Sequence, residues 1–249
     1  MILAGGLGTR LKPVIGTLPK CMAPVGGRPF LEYLVHAYRN QGAEEIILCT
    51  GYRSQPIFDH FGDGRQFGIR ITYSHELAPL GTAGALKKAE PLVQRDSFMV
   101  SNGDSFLDID TAALLDYHES RKSMATIALV HVPNTSRYGR VELGPDNQVV
   151  AFTEKARESG PGLINAGVYV FHREVLARIP SDRPVSLENE TLPSLTKGPV
   201  FGYQTNSLFV DIGTPEDYRA LLQNPVLLER LSRLASPPKS ASETQAIAH

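Results

Sequence analysis

Only two cysteines, Cys21 and Cys49, occur in the 249 residues, too few for a disulfide framework and in keeping with a reducing compartment. Charge of one sign is missing too. Twenty-five Lys and Arg against 26 Asp and Glu leave a net charge of −1, so the basic footprint of a nucleic-acid binder is absent and a small ligand is expected. No apolar run approaches a membrane span, and the amino end lacks the charged region, apolar stretch and cleavage site of a secretory signal. The expected setting is the cytoplasm. What is present is apolar sequence, 42% of the chain, enough for one large domain or a domain plus a small lobe.

The first half alternates strand and helix. Leu31, Leu34, Val35 and Tyr38 fall at helical spacing with Gly42 as a C-terminal cap, which predicts a helix over Pro29 to Gln41. "EEIILCTG" reads as a strand, Ser54 as the N-cap of a helix carrying Ile57, Phe58 and Phe61, and "IRITYS" as the next strand. "GALKKAEPLV" reads as a third helix and "SFMVSNGD" as a strand ending in turn residues. Such alternation predicts an α/β fold, a Rossmann-like, mostly parallel mixed sheet flanked by helices, with ligands at the carboxyl ends of the strands. Past Met124 strand-like segments dominate, from "MATIALVHV" to "LFVDIG", and suggest a smaller second lobe facing the first across a cleft suited to two substrates. Thr214 and Asn224 read as N-caps, each followed by proline at the first helical position. The expected organisation is one domain over 1–235, with halves of about 1–123 and 124–235. The polar, proline-bearing segment 236–249 is expected to be disordered.

"ILAGGLGTRL" opens the chain with a strand that breaks into glycines. A dinucleotide fingerprint needs a third glycine where Leu11 stands and an acid at the end of the second strand, where Cys49 and Thr50 stand. A triphosphate P-loop needs Gly-Lys-Ser or Gly-Lys-Thr, which does not follow. There remains a loop whose backbone N–H groups approach an anion closely because Gly5, Gly6 and Gly8 have no side chain. Arg10 can fork onto phosphate oxygens, and Lys20 in "LPKCMAP" adds a compact cation. Asp104 in "NGDSF" and Asp211 in "FVDIGTPED" stand at strand ends in the two halves. Either alone is most simply a turn or capping residue. Together with the loop, they form a plausible seat for Mg²⁺, which takes one or two carboxylates plus phosphate oxygens and water.

In this order, "LAGGLGTRL", "PKCMAP", "PLGTAGAL", "NGD", "FTEK", "NAGVYVF" and "DIGTPEDY" resemble the sugar-1-phosphate nucleotidylyltransferases, from Ile2 to about Leu222. Within that family "RPFLEYL", "HFGDG" and "SLEN" resemble D-glycero-D-manno-heptose 1-phosphate guanylyltransferases, with mannose-1-phosphate guanylyltransferases and glucose-1-phosphate thymidylyltransferases close behind. The resemblance implies transfer of a nucleoside monophosphate from a triphosphate to a sugar 1-phosphate, with Mg²⁺ as cofactor. On that basis Leu3, Ala4, Gly5, Gly6, Gly8, Thr9, Arg10, Lys20, Gly81, Thr82, Asn102, Gly103 and Asp104 bind nucleotide, Arg10, Lys20 and Asp104 being catalytic. Asp104 and Asp211 hold the metal, and Gly139, Glu154, Lys155, Asn165 and Gly167 bind the sugar phosphate, with Tyr138 beside them.

Glu76, five residues before the glycine of "GTAG", falls at the family's base-reading position. A carboxylate there accepts both N1–H and the exocyclic amine of guanine, which favours GTP. The family has a few more residues before "ILAGG", so either the first strand is expected to be short or the start is trimmed, and Cys21 stands where proline is usual. No hexapeptide repeat is present, so neither an acyltransferase activity nor the trimer that accompanies one is expected; a homodimer is possible on family grounds. A silent nucleotide-sugar sensor on the same fold is the alternative of a different class. It would be expected to lose one of Arg10, Lys20, Asp104 or Asp211, and all four are present.

Overall fold

The computed structural model describes residues 1–6, 8–51, 53–154 and 160–236, with 153 and 154 described by their backbone alone. Strand β1 (Ile2–Leu3) leads through the glycine loop to one helical turn, α1 (Lys12–Ile15), and a small hairpin of β2 (Pro24–Val25) and β3 (Arg28–Pro29). Helix α2 (Phe30–Asn40) buries Leu31, Leu34, Val35 and Tyr38, the stripe its periodicity predicts, with Pro29 as its N-cap. Gly42, at φ +89°, turns the chain out of it. Then come β4 (Glu45–Thr50), α3 (Gln55–Phe61), β5 (Arg70–His75), α4 (Gly81–Ala89) and β6 (Ser97–Asn102). β5, β4, β1 and β6 lie side by side and all parallel. Their carboxyl ends therefore make one rim.

Two local expectations are met only in part. Ser54 stands at the N-cap of α3 as expected, but its side chain does not cap the helix; its hydroxyl lies 3.2 Å from Nδ1 of His75, tied to the sheet instead. The helix after Gly81 stops at Ala89, and Glu90–Leu92 forms a 3₁₀ turn around Pro91, which has no N–H with which to continue the helical ladder.

The chain continues through β7 (Ser105–Leu107), α5 (Thr111–Ser120), β8 (Ala125–Val132), β9 (Gly139–Leu143), β10 (Val149–Glu154), β11 (Gly162–His172) and α6 (Glu174–Ala177). A π-helical turn (Leu187–Thr191), α7 (Leu192–Leu195), β12 (Val200–Thr205), β13 (Phe209–Asp211), α8 (Pro215–Leu222) and α9 (Pro225–Leu234) follow. Thr214 and Asn224 cap α8 and α9 as their sequence predicts, accepting from the N–H groups of Asp217 and Leu227. Long β11 lies antiparallel to β6 and joins the halves in one sheet, with order β10-β9-β11-β6-β1-β4-β5, β8 attached to β11 and β12 to β8. One core packs α2 on this sheet through Phe30, Leu31 and Leu34, and another gathers Ile127, Leu129, Tyr169 and Phe171. Outside the main sheet, β7 and β13 pair as a short antiparallel ribbon that sets Asp211 opposite Ser105. Among the described residues no helix is long and apolar enough to cross a membrane. The segment expected to be disordered falls, from 237 onward, outside the described residues.

Candidate active site

The glycine loop is anchored where it leaves β1, by the Ala4 N–H donating to the Cys49 carbonyl at 2.8 Å. Gly8, at φ +58°, faces Lys20 so closely that a Cβ would stand 3.0 Å from the Lys20 Cβ. Its glycine identity therefore brings the lysine against the loop. Gly6 faces open space, room in which an anion can meet backbone N–H groups. Gly103 donates its N–H to the Leu3 carbonyl at 2.9 Å, which fixes Asp104 beside the loop. The Asp104 carboxylate takes the Lys20 ammonium as its partner.

A cleft of about 440 Å³ opens on this rim. Arg10, Lys20, Asn102 and Asp104 line it from the first half; Gly139, Asn165, Gly167 and Asp211 line it from the second, with Tyr138 beside them. The four charged residues singled out by sequence thus share one pocket. Arg10 is exposed and makes no hydrogen bond or ion pair among the described residues. Asp211 accepts from the Gly213 N–H at 2.6 Å. Burial, followed by the negative charge of Asp104, pushes its pKa up to about 6, against the pull of Lys20. Two carboxylates crowded at one edge call for a cation. Among the described residues no cage of three or more His, Cys, Asp or Glu side chains is preformed. The donor set thus suits an ion such as Mg²⁺, which takes the rest of its shell from phosphate and water.

Other predicted residues have more structural surroundings. Glu76 is buried behind the glycine loop, its Oε1 2.9 Å from where a Gly5 Cβ would stand and 2.8 Å from that of Gly51. Its Oε2 accepts from the Leu80 N–H at 3.2 Å, and burial raises its pKa despite that bond. Gly81 leaves room for the Val185 carbonyl, 2.4 Å from where its Cβ would be. The Thr82 hydroxyl donates to Glu188 Oε2 at 2.7 Å and accepts from the Leu187 N–H at 2.7 Å, so it clamps the π-helical turn. Asn165 uses both ends of its amide internally, donating to the Tyr169 hydroxyl at 2.7 Å and accepting from the Gly167 N–H at 3.0 Å. That fixes the irregularity in β11 at which Gly167 turns to φ +73°, close against Asn102 and Ser105. The Glu154 backbone pairs with Gly139. Lys155 lies outside the described residues.

Five residues that sequence reasoning passed over also belong here. Ser105, Arg137, Glu188 and Asp217 line the cleft, and Gly51 makes room for Glu76. "SLEN" and "TPEDY" contain Glu188 and Asp217 without marking either; Arg137 had no motif at all.

A family model described as Nucleotidyl transferase matches residues 1–225. The mannose-1-phosphate guanylyltransferase of Mycobacterium tuberculosis is 40% identical over 221 residues, 88% of this chain and 62% of that protein. The D-glycero-alpha-D-manno-heptose 1-phosphate guanylyltransferase of Aneurinibacillus thermoaerophilus is 38% identical over 220 residues, 88% of this chain and 94% of that protein. The crystal structure of HddC from Yersinia pseudotuberculosis complexed with GMP-PN superposes with a TM-score of 0.79 at 36% identity, covering 89% of this chain and 96% of the other.

Proposed function

This chain belongs to the nucleotidyl transferase family, and on that premise we propose that it transfers GMP from GTP to D-glycero-D-manno-heptose 1-phosphate, giving a GDP-sugar and pyrophosphate. The observation that carries the reading is the gathering of Arg10, Lys20, Asp104 and Asp211 around one cleft between the two halves. A phosphate monoester has a second pKa of about 6, so the sugar phosphate arrives largely ionised and needs no general base. Its oxygen forms the new bond to the α-phosphorus as the bond to the bridging oxygen breaks, and pyrophosphate leaves with that electron pair. The obstacle is repulsion between two anions, which positioning and positive charge relieve.

Arg10, exposed and unpaired among the described residues, can fork onto the triphosphate. Lys20 is held by Asp104 until substrate competes for it. Asp104 and Asp211 hold Mg²⁺ in this reading; when bound, the ion supplies charge to the α-phosphate and the departing pyrophosphate. The carboxylate of Glu76 reads guanine, and the backbone of Leu3, Ala4, Gly5, Gly6, Gly8 and Thr9 cradles the phosphates. Gly139, Glu154, Lys155 and Gly167 receive the sugar phosphate. Residues 1–235 act as one catalytic unit, nucleotide on 1–123 and sugar on 124–235. The setting is the cytoplasm, where GTP is at hand, and the product serves cell-surface polysaccharide synthesis.

A mannose 1-phosphate acceptor is the second reading, favoured by the 40% identity to the mycobacterial enzyme. Pyrophosphate release from each of the four common nucleoside triphosphates against heptose, mannose and glucose 1-phosphates decides among these. GTP with the heptose phosphate should be fastest. Silence across every pair would leave the sensor standing.

A further inference from the structure

Asp211 sits at the end of a strand only three residues long, and a two-stranded ribbon of that length holds itself poorly. The turn that follows is held by the Ile212 N–H, which donates to the Asp104 carbonyl at 3.0 Å, and by side chains. The Thr214 hydroxyl donates to Asp217 Oδ2 at 2.7 Å, and the Asp217 N–H donates back to Thr214 Oγ1 at 3.3 Å, a reciprocal cap at the start of α8. Asp217 Oδ2 also accepts from Arg137 Nη2 at 2.5 Å. Arg137 comes from the loop before β9, a separate segment of the same half of the chain. The same Nη2 donates to the Tyr138 hydroxyl at 3.2 Å, and the guanidinium lies 5.5 Å from the Tyr138 ring centroid. That ring meets Phe209 of β13 edge-on at 5.9 Å. Arg137 thus reaches both sides of Asp211, through Asp217 beyond it and through Tyr138 and Phe209 before it.

An exposed ion pair adds little to global stability. With side chains 43% and 22% exposed, this one is half covered, and its weight lies in the two segments it ties. We propose that Arg137 is a positioning residue for the transfer reaction, holding the Asp211 turn against the loop that presents Tyr138 and Gly139 so that the two segments move as one. This rests on the guanylyl-transfer reading for its kinetic consequence, though not for the tether itself.

Arg137→Gln, Asp217→Asn and the double variant form the test, with Arg137→Lys as the conservative partner. Each single change should lower kcat by about 10- to 100-fold, the scale of a small misplacement of reacting groups. KM for GTP should stay within about twofold, because the nucleotide side is untouched, and Arg137→Lys should recover part of the loss. The double variant should be no worse than the poorer single, since both changes break one contact. Hydrogen exchange of the unliganded proteins should show faster exchange in 134–143 and 209–217 and none of it in 28–50, which also certifies folding.

Additive kinetic losses, an unchanged kcat, or unchanged exchange in 209–217 would each overturn the proposal. Should the wild-type protein release no pyrophosphate with any substrate pair, the functional reading fails, and the exchange measurement by itself still decides the tether.

Discussion

Glu76 occupies space that two glycines leave open, and substitutions there read its role directly. A methyl group at Gly51 would stand 2.8 Å from its Oε1 and 3.0 Å from the Gly5 carbonyl. Overpacking of that kind costs about 1–3 kcal/mol, so Gly51→Ala should lower the melting temperature and raise KM for GTP together. Glu76→Gln replaces one of the two acceptors that guanine would use with a donor. It should raise KM for GTP by roughly 5- to 150-fold, the equivalent of about 1–3 kcal/mol for a bidentate base contact, and leave UTP little changed in a competition assay. Lys20→Met should lower kcat by about 10²-fold or more while circular dichroism shows a folded protein, because the lysine's partner is the carboxylate Asp104 and not the apolar core. That Arg10, Lys20, Asp104 and Asp211 would meet at one cleft was legible in sequence because each is a charged residue set in a loop or at a strand end. Gly51 was not, since its function is to make room, and nothing local marks which neighbour needs the room.

Elements were legible where one periodicity governs them. The stripe of α2 and the caps Thr214 and Asn224 appear as the sequence predicts. The ribbon of β7 and β13 did not, because its two strands are three residues each and find one another across half the chain. The π-helical turn at Leu187–Thr191 was equally hidden, its widened backbone leaving no spacing of its own in so short a run. Thr82 is what fixes that turn to α4. Thr82→Val removes two hydrogen bonds and leaves Glu188 and the Leu187 N–H short of a partner, at a cost of about 1–3 kcal/mol for each group left unpaired. Urea unfolding should show it. On α5, His118 is 2% exposed, with Nδ1 2.9 Å from the Thr126 hydroxyl and Nε2 without a partner among the described residues. Burial, with help from His172, pushes its pKa down from 6.5 to about 4. Below pH 6.5 the unfolded chain therefore binds a proton that the folded chain refuses, so the stability His118 contributes is complete above that pH and is lost as pH falls towards 4. His118→Gln should flatten this part of the pH dependence of the urea midpoint relative to wild type.

In the whole molecule, one sheet runs through both halves because β11 pairs with β6. Thermal unfolding should accordingly be a single transition with calorimetric and van't Hoff enthalpies in agreement; two resolved transitions would show that the halves are separable. The alternation of strands and helices made the parallel first half readable in advance, whereas the partner of β6 was not, since register between distant strands is settled by packing that no local window contains. The active site inherits the same dependence, with Lys20 and Asp104 from one half and Asp211 from the other. Synthesis makes the seam between halves a hazard. A ribosome delivers β6 well before β11, so the emerging chain carries an unpaired strand edge, and neighbours on the same messenger can add to it. Slower initiation, by spacing those neighbours apart, should therefore raise the yield of soluble enzyme more than it lowers total output.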